Sequence, residues 1–191
     1  EEVPLMMALL KGTKKKMNKL KTLDCCNKIA ILDVIAIGNI SKMINISAEK
    51  HNADIIMMGT HGSKGLNDVF AGSNAEHVVR DTEIPVITIQ SGKGKAEVKN
   101  IVFATDFSEE TKYVFPFIKS FAEIFDAKIH IVKIISDSNF KSRNVALIDA
   151  EAFLKENKFG IYPVTILHDL RSKSEGISRY AELHKADMIA L

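Results

Sequence analysis

The chain has 191 residues, 46% of them hydrophobic and 26% charged, with a formal net charge of +2. This composition fits a soluble globular protein with a real core, and so small a net charge gives no general pull toward nucleic acid or an anionic membrane. No run approaches the roughly 18 apolar residues of a membrane span, and Glu1-Glu2-Val3-Pro4 does not open a secretory signal.

In chain order, the first expected element is a helix. Met6, Leu10, Met17 and Leu20 recur at roughly helical spacing, which places the lysines of residues 11–21 (KGTKKKMNKLK) on its solvated face. That run lacks the aromatic interleaving that stacks bases, which argues against nucleic acid as a partner. Cys25 and Cys26 are adjacent and have no second pair with which to build a zinc site, so two reduced thiols of a cytoplasmic protein are expected.

Residues 29–37, 41–50 and 54–58 read as strand, helix and strand, and the same order returns at 162–170, 174–185 and 187–191. The two passages are a repeat. Residues 44–56 (INISAEKHNADII) and 177–189 (ISRYAELHKADMI) are offset by 177 − 44 = 133. They share the residues of Ile44, Ala48, Glu49, His51, Ala53, Asp54 and Ile56 with Ile177, Ala181, Glu182, His184, Ala186, Asp187 and Ile189. His51 and His184 are thereby expected at helix ends, where a cation suits the dipole. Position 59 would have its counterpart at 59 + 133 = 192, and position 101 at 101 − 133 = −32, so a longer parent chain is expected.

After residue 58 the chain enters Gly59-Thr60-His61-Gly62, runs through residues 63–71, and opens a helix at Gly72-Ser73. Glycines at the carboxyl end of a strand let backbone N–H groups approach a ligand, and the free N–H groups of the following helix suit an anion such as phosphate. The spacing fits neither the dinucleotide fingerprint nor a P-loop. Ser73-Asn74-Ala75-Glu76 is also a capping box, which serves a helix without any ligand. A strand follows at 84–89, with Pro85 at its beginning suggesting an edge, and residues 91–99 (SGKGKAEVK) have the composition of a linker.

The second half opens on a strand at 101–104, and a longer apolar strand follows at 128–135 (KIHIVKII). Ser108 is expected to cap the next helix, with Thr111 three residues on. Strands alternating with helices predict an α/β fold, a doubly wound, Rossmann-like parallel sheet present twice. The expected domains are residues 1–92, lacking a first strand, helix and second strand, and residues 97–191, lacking the glycine loop and last helix and strand. No nucleophile stands with a base and an orienting partner, so no catalytic or metal-ligating residue is assigned.

The pattern G-2x-G-9x-G-[S/T], met by Gly59, Gly62, Gly72 and Ser73, resembles the nucleotide motif of ATP-binding universal stress proteins. Residues 99–108 (KNIVFATDFS) resemble the first strand and loop of the same family. The resemblance implies phosphate contacts from Gly62, Gly72, Ser73 and Asn74, with His61 beside them. It implies a nucleoside end at Ala104, Thr105, Asp106 and Ile134. It further implies ATP or another adenine nucleotide, with Mg²⁺ held by the phosphates, in a regulatory stress-response role. Pairing of the two domains, or a homodimer, would use the last strand, Pro85 to Ile89. Two other readings stay open: a partner-binding module of the same fold with no nucleotide, and a nucleotide-using enzyme on a related fold.

Overall fold

The computed structural model describes residues 2–60, 73–90, 97–135, 143–168 and 172–191. The chain divides into two compact units, Glu1–Gly92 and Lys93–Leu191. Among the described residues no helix is long and apolar enough to cross a membrane.

The first unit begins with helix α1, Glu2–Lys21. Leu10 and Met17 are half-buried, while Met6 and Leu20 stay exposed beside the lysines. A short 3-10 turn at Asp24–Cys26 follows, and both cysteines are free. Helix α2, Ile40–Lys50, starts where the Asn39 side chain accepts the Lys42 N–H at 3.0 Å, an N-cap that satisfies one orphan donor. Strands β1, Ile56–Thr60, and β2, Val86–Gln90, pair in parallel. Helix α3, Ser73–Asp81, joins them. Pro85 sits just before β2, where its carbonyl accepts the Ile56 N–H at 2.9 Å. The core is small, centred on Ala48, Ile56 and Val78. Ser41 is buried in it, donating to the Asp81 carboxylate at 2.7 Å, and Asn45 donates to the Asp81 carbonyl, so α2 and α3 are joined by polar bonds as well as packing.

Residues 29–37 do not form the strand expected of them. They run without regular structure and expose Ile29, Leu32 and Ile37 by 63%, 70% and 70%. Their counterpart in the second unit, Val164–His168, is held by a parallel ladder to Lys128–Ile135. Among the described residues no strand pairs with 29–37, and an apolar run without a ladder partner does not hold a strand.

The second unit is a four-stranded parallel sheet. Its strands are β3, Asn100–Ala104, β4, Lys128–Ile135, β5, Val164–His168, and β6, Met188–Ala190, in the order β5-β4-β3-β6. Helices α4, Thr111–Phe125, α5, Arg143–Glu156, and α6, Lys173–Leu183, connect them. Ile101, Val102 and Phe103 are buried in succession, as a central parallel strand covered on both faces requires. One face places Ile101, Phe103, Ile129 and Ile131 against Phe115, Ile118 and Ala122 of α4. The opposite face sets Val102 and Val132 against Tyr180 and Ala181 of α6.

The repeated Ala-Asp segment is a helix stop. After α2, Asn52 takes the left-handed conformation (φ 49°) and the Ala53 N–H reaches back to the Ala48 carbonyl at 2.9 Å. After α6, Lys185 (φ 50°) and the Ala186 N–H to Ala181 carbonyl bond at 2.8 Å reproduce it. This is the Schellman arrangement, and His51 and His184 are the C-cap residues. A lysine at a left-handed position bears a Cβ clash that glycine avoids. Lys185→Gly is therefore expected to raise the stability of the second unit by about 0.5–1 kcal/mol. The chain's tyrosines, Tyr113, Tyr162 and Tyr180, all lie in that unit, and there is no tryptophan. Urea unfolding followed by tyrosine fluorescence reads the shift directly, and a lower midpoint would refute the strain.

Candidate functional site

In the second unit β4 lies on one side of β3 and β6 on the other. The connections therefore change direction at β3, and ligands of open α/β sheets bind outside the carboxyl end of the strands at such a point. The segment that leaves β3 there is Thr105-Asp106-Phe107-Ser108.

This loop is fixed by its own side chains. The Thr105 N–H continues the ladder to the Val132 carbonyl at 2.9 Å. The Thr105 hydroxyl oxygen accepts the Phe107 N–H at 3.0 Å and lies 2.8 Å from the Thr111 hydroxyl, which is buried. Phe107 is held left-handed (φ 62°), a conformation that costs a side-chain-bearing residue roughly 1–2 kcal/mol. Its ring offsets this by packing edge-on against Phe153 at 5.6 Å and against the larger apolar core. Lys133 of β4 donates to the Asp106 carbonyl at 2.9 Å, and its ammonium lies 5.4 Å from the centre of the Phe107 ring.

Asp106 itself is exposed. Its carboxylate accepts the Ser108 N–H at 3.0 Å, an Asx turn. That backbone bond is the main reason its carboxyl is held below the usual range; burial opposes it, and the Ser108 hydroxyl and the Lys133 charge assist. The Ser108 hydroxyl likewise lowers Glu110. Ionised at neutral pH, Asp106 is acceptor-only, suited to an amino or hydroxyl donor of a ligand.

Ser108 does not cap α4 as expected. The helix starts at Thr111, preceded by Glu110 in helical conformation with no side-chain cap bond. Ser108 instead donates its N–H to Asp106, and its carbonyl accepts the Thr111 N–H at 3.1 Å in a turn that precedes the helix.

Of the expected nucleoside residues, Ala104 ends β3, Thr105 and Asp106 form the loop, and Ile134 lies on β4. Ala104 and Ile134 pack against the same cluster of Val102, Val132, Tyr180 and Ala181. The structure thus brings this group together. Of the expected phosphate residues, Gly59 lies in β1 opposite Ile89, where an added Cβ would meet nothing within 4 Å. Asn74 is exposed in the first turn of α3. Ser73 opens that helix, with its side chain outside the described residues. His61, Gly62 and Gly72 also lie outside the described residues. Phe107, Thr111 and Lys133 were not singled out from sequence. The readable signal was Lys133, a lysine interrupting the apolar run of a central strand.

The fold and loop together define a class: parallel α/β units in which a braced loop leaves the first strand of the sheet at the switch point. The sequence profile of the universal stress protein family matches residues 27–90 and 97–191. The chain belongs to that family. A curated universal stress protein of Methanocaldococcus jannaschii is 30% identical over 89 residues, covering 47% of this chain and 55% of the relative. A second from the same organism is 44% identical over 46 residues, covering 24% of this chain and 27% of the relative. The chain therefore spans about half, or about a quarter, of the curated relatives it matches. A universal stress protein structure from Archaeoglobus fulgidus superimposes with a TM-score of 0.73 at 18% identity, over 95% of this chain and 66% of that one. At that identity the likeness concerns the fold.

Proposed function

We propose that this universal stress protein binds an adenine nucleotide, ATP in the first instance, as a regulatory occupant. The observation that carries the reading is the braced loop at the carboxyl end of β3, which presents an ionised Asp106 at the switch point of the sheet. The pattern of Gly59, Gly62, Gly72 and Ser73 supports a phosphate end in the first segment. Mg²⁺ would be held by the phosphates. On this reading residues 1–92 and 97–191 are two domains of one family, acting in the cytoplasm. Pairing of the two domains, or of two chains, would use the last strand of the first segment, Pro85 to Ile89. No residue is assigned a catalytic role.

The test is acid extraction of the purified full-length protein with chromatography of what is released, followed by titration of the stripped protein with ATP and Mg²⁺. Release of an adenine nucleotide is expected, with Asp106→Ala weakening uptake by the second unit and Gly72→Val uptake by the first, while the fold, followed by circular dichroism, persists. A protein that comes off the column empty and takes up no added nucleotide would defeat the reading in favour of a partner-binding module.

A further inference from the structure

Strand β4 reads KIHIVKII, and Lys133 interrupts its apolar run two residues before the end. A half-buried ammonium in a central strand is costly unless it finds partners. Two of its contacts converge on one peptide unit. Lys133 donates to the Asp106 carbonyl at 2.9 Å, and the amide on the other side of that same peptide, the Phe107 N–H, is accepted by the Thr105 hydroxyl at 3.0 Å. The peptide between Asp106 and Phe107 is thus pinned at both its oxygen and its N–H.

This is where the chain turns left-handed, with Phe107 at φ 62°. The relaxed alternative for a residue with a side chain is a rotation of that peptide toward extended geometry. Such a rotation would break both bonds at once and lift the Phe107 ring from beneath the Lys133 ammonium. It would also re-aim Asp106, whose carboxylate is set by the Ser108 N–H on the far side of the turn. Thr105 is tied to the helix start through Thr111. Lys133 is the tie to the neighbouring strand.

We infer that Lys133 is a positioning residue for the nucleoside end: it locks the Asp106–Phe107 peptide so that the Asp106 carboxylate meets an adenine nucleoside in a single orientation. This deepens the nucleotide reading and rests on it. Lysine acts through the loop and needs no contact with the ligand. An arginine can replace both the donor and the cation over the ring, whereas methionine keeps the apolar stem and loses both.

The experiment uses the full chain labelled for NMR, as wild type, Lys133→Met and Lys133→Arg, with adenosine as the probe. In wild type, adenosine is expected to shift the Asp106, Phe107 and Ser108 amides. In Lys133→Met the Phe107 coupling constant and Cα shift should leave left-handed values. The Asp106 carboxyl should titrate at higher pH, and adenosine should bind about tenfold more weakly, the equivalent of one charge-assisted bond. Lys133→Arg should return all three to near wild type. Loss of stability alone would move none of the Asp106 and Phe107 signatures while the fold holds. If Lys133→Met leaves those signatures and the adenosine affinity unchanged, the positioning role is overturned with the nucleotide reading intact. If wild type shows no adenosine shifts in the loop, the nucleoside role falls together with the reading beneath it.

Discussion

Phe115→Ala should cost the second unit about 3–5 kcal/mol, the range for emptying a fully buried aromatic site. Phe115 is 0% exposed. Its ring lies 5.7 Å from Phe103 of β3, 4.8 Å from Phe159, and 5.3 Å edge-on from Tyr162. It therefore ties α4 to the central strand and to the segment that leads into β5. Rigid rings from three parts of the chain do not collapse easily into the space left behind, which places the cost toward the upper end of the range. Marginal stability of about 5–15 kcal/mol is usual for a domain, so the variant should retain a fold with a much lower urea midpoint. Tyr113→Ala, on the same helix but 82% exposed, is the matched control and should change stability by less than about 0.5 kcal/mol. Tyr162 and Tyr180 still report on the unit in both variants. A loss from Phe115→Ala no larger than the control's would mean that the core is not centred where the structure places it.

The elements with strong apolar pattern were legible in the sequence. The strand at Lys128–Ile135 has the expected bounds, and β3 and α2 differ from expectation by a residue. The repeat was legible too, and Ala-Asp leads into β1 and β6 as it reads. What it did not show is that Ala53 and Ala186 also close a Schellman stop that needs Asn52 and Lys185 left-handed, which neither residue advertises as glycine would. Residues 29–37 show the limit of pattern. Their apolar run matches a strand, yet strand formation is a property of pairs, and among the described residues no strand pairs with them. At the site, Asp106 could be reached from the motif. The braces were harder to read: Thr111 looks like part of a helix start, and Lys133 shows only as a charge interrupting a core strand, with nothing in the sequence to name its partner. Ser108 misled for a related reason: a serine before a helix invites a capping role, but its N–H and hydroxyl are committed to Asp106 and Glu110.

Asp187→Ala should destabilise the second unit by about 2 kcal/mol, since bonds to a charged acceptor are worth roughly 1.5–3 kcal/mol and exposure reduces that. Its carboxylate accepts the Lys99 N–H at 2.8 Å and the Asn100 N–H at 2.9 Å, and its own N–H donates to the Asn100 carbonyl at 2.9 Å. One side chain therefore fixes the register in which β6 meets β3, at the end of the sheet opposite the Asp106 loop. Asp187→Asn keeps an oxygen for the two amides and loses only the charge, so it should recover about half of the loss. The repeat supplies an internal control. Asp54 is the first-half equivalent, but it is exposed and has no β3-like strand to meet among the described residues. Asp54→Ala should consequently leave stability within about 0.5 kcal/mol. Equal losses at the two positions would mean that the aspartate acts through the helix stop it shares in both units; a loss confined to Asp187 assigns it to the strand junction. Hydrogen exchange at Lys99 and Asn100 separates these directly, because the junction predicts faster exchange there in Asp187→Ala while the Ala186 amide stays protected.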